Sequence, residues 1–154
     1  MKKTALLFMF TIISLMSIHA QQTYIPDANF EAYLEANGMG NGTVNDNYVT
    51  TASISGVTTL DVSNQNIADL TGIQDFTSLQ SLNVNGNQLT AVDISANTSL
   101  QYLFVSNNLI QDLTLPTTTT LRQISCNNNQ LSSIYLNNVT GLRSLYINHN
   151  QLTQ

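Results

Sequence analysis

The chain has 154 residues, 42% of them hydrophobic and only 8% charged, with nine acidic and four basic side chains and a formal charge of −5. That length suits a single domain with a sizeable core. The acidic balance excludes the clustered Lys and Arg needed for nucleic acid or an anionic membrane surface, and the single Cys excludes an internal disulfide framework.

Residues 1–20 read as a secretory signal. Lys2 and Lys3 form a basic start, residues 5–18 are mostly apolar, and Ala20 supplies a small residue before a cut at Gln21. The apolar run is shorter than the ~20 residues that span a bilayer, and Gln21-Gln22-Thr23 follows it, so no stable membrane insertion is expected after cleavage. Removing Lys2 and Lys3 moves the formal charge from −5 to −7 and leaves Arg122 and Arg143 as the strong cations.

Residues 21–56 read as an N-terminal cap. In IPDANFEAYLEANG, Asp27 is placed to cap a helix over residues 28–37, and Gly38 to stop it. Phe30, Tyr33 and Leu34 share one face, which suits covering an open core. The loop over residues 40–47 is rich in Gly and Asn, but Asp46 is its only carboxylate, too few ligands for calcium. Val49, Ala52 and Ile54 suggest one capping strand.

Residues 57–154 are repetitive. Val57, Leu60, Val62, Ile67, Leu70 and Ile73 belong to a first unit over 57–78, atypical in placing Gln65 where later units place Asn. Leu79, Leu100, Leu121 and Leu142 then recur at one constant interval, each opening L-x-x-[LI]-x-[VIC]-x-x-N-x-[LI]. A period in the range of about 20–29 residues with this motif marks a leucine-rich repeat solenoid. Positions 4 and 6 are two apart and face inward from a short strand, so stacked copies build a parallel sheet over one shared core. The Asn at position 9 (Asn87, Asn108, Asn129, Asn150) has two donors and an acceptor with which to satisfy the backbone of its own coil and the next. Val92 and Ile94, Leu113 and Leu115, and Ile134 and Leu136 alternate in the second half of each unit, which predicts a second extended segment on the convex side. The fold class is therefore a β-rich leucine-rich repeat solenoid, a parallel arch of about five repeats with an N-terminal α-helical cap. The last unit stops at Gln154, mid-repeat, so a C-terminal cap is missing and the chain is expected to be part of a longer one.

IPDANFEAYLEANG, the stretch VTTLDVSNQNIADLTGIQDFTSLQSL and the NQLT segments at 87–90 and 150–153 resemble secreted bacterial leucine-rich repeat proteins, including the internalin-like class with its helical cap. The resemblance covers residues 25–154. It implies a secreted or cell-surface interaction protein that binds through the concave face.

In such arches the outward strand positions 3, 5 and 7, with the flanking variable positions 2 and 8, form that face. Against a Ser, Thr and Asn background the informative residues are Tyr102, Phe104, Arg122, Gln123, Arg143 and Tyr146, since aromatic and Arg side chains dominate binding hot spots. Five strands ~4.8 Å apart, each with ~5 residues at ~3.3 Å, give a patch of roughly 400 Å². That is half of the ~800 Å² per partner of a standard interface. The expected partner is a protein ligand, with a glycan stacked on the same aromatics as the alternative. No catalytic site, metal or cofactor is expected. Cys126 takes an inward position that Val84 and Val105 fill in sister repeats, and His149 lies in the next repeat at a position facing elsewhere. The resemblance to bacterial proteins implies that the sequons at Asn41, Asn97 and Asn138 carry little meaning.

Overall fold

The computed structural model describes residues 20–137 and 139–153. The signal segment, Ala20 excepted, lies outside these residues, as do Asn138 and Gln154.

The chain opens with β1 (Gln22–Tyr24), which pairs antiparallel with β2 (Tyr48–Thr50), setting Tyr24 opposite Tyr48. Between them runs α1 (Ala28–Ala36). One Asp27 carboxylate oxygen accepts the Asn29 and Phe30 N–H groups, both at 3.0 Å, which satisfies two of the first-turn donors a helix leaves free. Asn37 caps the other end and Gly38 turns away at φ 72°, a left-handed value that favours glycine. Phe30 and Leu34 are buried, and Tyr33 is half-buried. The extended stretch expected across Val49, Ala52 and Ile54 is two elements. β2 ends at Thr50 and a helical turn, α2 (Thr51–Ile54), brings Ile54 into the core. Those three apolar positions are not strictly two apart, so their spacing admits a turn as readily as a strand.

The repeats form one five-stranded parallel sheet from β3 (Thr59–Asp61), β4 (Ser81–Asn83), β6 (Tyr102–Phe104), β8 (Gln123–Ser125) and β9 (Ser144–Tyr146). The register aligns Leu60, Leu82, Leu103, Ile124 and Leu145 across the sheet. The first four are fully or almost fully buried, while Leu145 is half-buried. On the convex side β5 (Ala91–Asp93) pairs in parallel with β7 (Asp112–Thr114). The third convex segment forms no strand. Ile134 and Leu136 pack half-buried on the core, but Tyr135 between them is 78% exposed and no ladder joins them to β7.

Each Asn of the repeat motif ties two coils together. Asn108 Nδ2 donates to Val84 O at 3.0 Å in the preceding coil and to Val105 O at 3.2 Å in its own, while its Oδ1 accepts the Leu89 N–H at 3.1 Å. Asn87, Asn129 and Asn150 make the equivalent bonds. The residue before each of these Asn is left-handed: Gly86 at φ 68°, Asn107 at 58°, Asn128 at 54° and His149 at 56°. Gly, Asn and His are the types that reach this region most readily, so the eighth position of the repeat is a backbone requirement rather than a free surface choice.

Candidate binding face

Tyr102, Phe104, Gln123 and Tyr146 alternate along their strands with the buried Leu103 and Ile124 and the half-buried Leu145 and so share the outward face, while Arg122 and Arg143 immediately precede β8 and β9. Tyr102, Arg143 and Tyr146 are exposed, and Phe104, Arg122 and Gln123 are half-buried. Tyr102 and Phe104 lie two apart on β6, about 6.6 Å along one face. Phe104 is in register with Ser125 and Ser125 with Tyr146, so the Phe104 and Tyr146 rings rise two strands apart, about 9.6 Å, over a serine floor. The Ser125 hydroxyl is held 3.0 Å from that of Ser106.

The polar residues around them are occupied. Asn85 Oδ1 accepts the Ser106 N–H at 2.7 Å, Ser106 Oγ accepts the Asn127 N–H at 3.1 Å, and Asn127 Oδ1 accepts the Asn148 N–H at 2.8 Å. Position 7 is thus a second ladder, passing one backbone donor to the next coil each time. Asn83 donates to Asp61 at 3.1 Å and accepts the Asn85 N–H at 3.1 Å. Burial pushes the Asp61 carboxyl up. Hydrogen bonds from the Ser63 backbone, the Ser63 hydroxyl and Asn83 outweigh this and hold it below the usual carboxylate value. Among the described residues, the side chains of Tyr102, Arg122, Gln123, Arg143 and Tyr146 make no hydrogen bond or ion pair within the chain. They and Phe104 are what the face has left to offer.

Cys126 and His149, the Cys and His among the described residues, do not face one another across a shared site. Cys126 is fully buried, and burial pushes its thiol up to about 11, away from the reactive thiolate. His149 is exposed on its left-handed turn, with its carbonyl accepting the Asn129 N–H at 3.2 Å. Among the described residues no three of His, Cys, Asp and Glu are placed to hold a metal ion, and no helix is long and apolar enough to cross a membrane. Two clefts lie on the convex side. One, of about 390 Å³, is lined by Asp69, Ile73, Gln74, Ala91 and Asp93, and the other, of about 350 Å³, by Leu113, Pro116, Tyr135 and Val139. Neither touches the six candidates.

Two features escaped the sequence reading. Asn97, within a sequon, is fully buried and donates to Ile73 O at 2.9 Å and Phe76 O at 3.1 Å, bracing the 3-10 turn Ile73–Asp75 of the preceding coil. An Asn outside the repeat motif gave no signal for this. Tyr24 and Tyr48 form an exposed tilted pair, ring centroids 5.5 Å apart, which only the pairing of β1 with β2 creates.

A family model described as leucine-rich repeats (2 copies) matches residues 77–117. No curated protein matches the chain. Among solved structures, the chain is similar to the functional domain of InlJ from Listeria monocytogenes, which includes a cysteine ladder, at 28% identity and a TM-score of 0.72 over 87% of this chain. It is also similar to an internalin, InlF, of the same species at 26% identity and 0.57 over 85%. A likeness of fold alone links it to internalin C2 of that species, at 24% identity and 0.55 over 88%. The chain spans 30% of the InlJ chain, 46% of the InlF chain and 72% of the internalin C2 chain. With its coils stacked in register behind a helix and this likeness beside them, the chain has a leucine-rich repeat fold similar to that of the internalins.

Proposed function

We propose that this chain is a non-enzymatic binding module, exported to the cell surface or the medium, that holds a protein ligand on its concave sheet. In this reading residues 1–20 direct export, residues 21–56 close the N-terminal end of the core and residues 57–154 present the face. The observation that carries it is the division of labour on the sheet. Most of the surrounding Asp, Asn and Ser side chains serve the backbone or each other, while Tyr102, Phe104, Arg122, Gln123, Arg143 and Tyr146 stand free on a rigid platform. Rings held on a stiff sheet lose little conformational entropy on binding, which favours them as anchors.

Changing Tyr102 and Phe104 together to Ala should cost about 2–4 kcal/mol of binding, a loss of roughly 30- to 1,000-fold in affinity. The melting temperature should be unchanged, because both side chains face out from the core. Differential capture by the parent and double-variant proteins, with thermal melts of each, checks this. Retained capture by the double variant moves the site off this face. The exposure of the Tyr102 and Tyr146 rings also supports the second reading, a glycan stacked on them. Binding of the parent chain on a glycan array, with no protein captured, selects that reading.

A further inference from the structure

We infer that Arg122 and Arg143 form one carboxylate-binding subsite, so that the protein ligand is acidic where it meets β8 and β9. The inference rests on the concave-face reading and adds the chemistry of the partner. These two are the only Arg residues in the chain. They occupy the same repeat position in adjacent coils, immediately before Gln123 and Ser144, which are in register. The Arg143 N–H donates to the Arg122 carbonyl at 2.8 Å, so their backbones are direct neighbours. Two like charges side by side on a sheet repel.

Among the described residues no acidic side chain pairs with either arginine to offset that repulsion. All nine acidic side chains fall between Asp27 and Asp112, and residues 113–154 carry no Asp or Glu. Asp93 and Asp112 lie on the convex strands β5 and β7, and the other acids belong to the cap and the first coil, so none shares the concave face of the last two coils with the arginines. The concave face carries one acid, Asp61, on β3, three strands from β8 and so about 14 Å away. That exceeds the ~8 Å screening length at physiological salt. Asp61 is also already held by Ser63 and Asn83. In the preceding coils the same repeat position holds Thr58, Gln80 and Gln101, and Gln101 donates to Gln80 at 3.5 Å. The arginines break this neutral row one coil after the aromatic patch begins on β6.

A guanidinium is a planar fork that matches a carboxylate with two parallel hydrogen bonds, and two adjacent forks can clamp one carboxylate or a neighbouring pair. Beside them stand Gln123, a free amide, and the exposed rings of Tyr102 and Tyr146. Carboxylate and apolar recognition within one short span fits a peptide segment in which Asp or Glu flanks an apolar residue. The acids of the N-terminal half repel such a ligand and the arginines attract it, which sets its position along the arch.

Because the chain has two arginines, selective ¹⁵N-arginine labelling gives two backbone amide and two guanidinium Nε–H signals. Arg122→Gln and Arg143→Gln, each removing one guanidinium, assign the latter pair. Poly-L-glutamate titrated into the full chain should move both guanidinium signals along one saturating curve, and either variant should weaken that binding about tenfold. Arg122→Lys, which keeps the charge and loses the fork, should recover only part of it. Signals that stay still, or drift linearly as they do with sodium chloride, overturn the subsite. Saturation by polygalacturonate without response to poly-L-glutamate overturns the peptide class in favour of an acidic glycan. The concave-face reading is tested apart from this, by ligand capture with the Tyr102 and Phe104 double variant, and survives a failure of the arginine experiment.

Discussion

Asn108 shows how much of the stacking one polar side chain can hold. It is 7% exposed and meets donors and acceptors from two coils at once. Asn108→Ala should lower stability by roughly 1–3 kcal/mol, the cost of leaving buried backbone groups unpaired, measured by urea denaturation. Cys126 is the opposite case. Its sulfur lies 3.5 Å from the Tyr146 carbonyl, in a column that Val84 and Val105 share, so Cys126→Val should change stability by less than about 1.5 kcal/mol. Its raised pKa makes a pH prediction. The folded chain keeps the thiol proton up to about 11, whereas an unfolded chain releases it near the ordinary value of 9.0. Stability from this source is therefore full below pH 9.0 and falls as pH rises toward 11. Thermal melts across that range should show the parent losing stability that Cys126→Val does not lose. The Asn of the motif and the inward Cys were legible in the sequence because each sits in a repeated column. The left-handed turn under His149 was not, since position 8 looked variable until backbone angles explained why it holds only Gly, Asn and His.

The N-terminal cap is riveted to the first coil rather than merely laid on it. The second Asp27 oxygen accepts the Ala68 N–H at 2.7 Å and the Asp69 N–H at 3.1 Å, so one carboxylate caps α1 and anchors the repeat. Thr23 on β1 donates to Asp75 at 2.7 Å, and the Phe30 and Phe76 rings stack with centroids 6.3 Å apart. Gly72, at φ 102°, lies where any Cβ would strike Ile25 and come within 2.9 Å of the Tyr24 carbonyl. Asp27→Ala removes a helix cap and strands two further donors, an expected loss of about 2–4 kcal/mol by chemical denaturation. Asp27→Ala should also lower hydrogen-exchange protection over β1 and α1 together. The capping role of Asp27 was readable from IPDANF, because caps are local. Its second oxygen was not, because its partners lie 41 and 42 residues away. β1 likewise left no pattern, being three residues with one buried side chain.

Stacked coils contact only their neighbours, so burial sets local stability along the arch. Leu82 and Leu103 are fully buried, whereas Leu142, Leu145 and Ile147 are half-buried and Leu152 is 44% exposed. Hydrogen exchange should therefore show strongest protection in β4 and β6, falling through β8 to β9. Uniform protection across all five strands would contradict this picture of coil-by-coil stability. The five-coil arch, its inward columns and the candidate face follow from the constant interval between Leu79, Leu100, Leu121 and Leu142, because a repeated spacing writes each side chain's direction directly into the chain. Which side chains on that face are free was decided by the stacking of one coil on the next. Asn85 and Asn127 read as surface residues until the N–H one coil further on claims them. The same stacking let β5 and β7 pair while leaving residues 134–136, with equal alternation, unpaired. Periodicity is local and survives in the letters, whereas a hydrogen bond from one coil to the next exists only once the two are in contact.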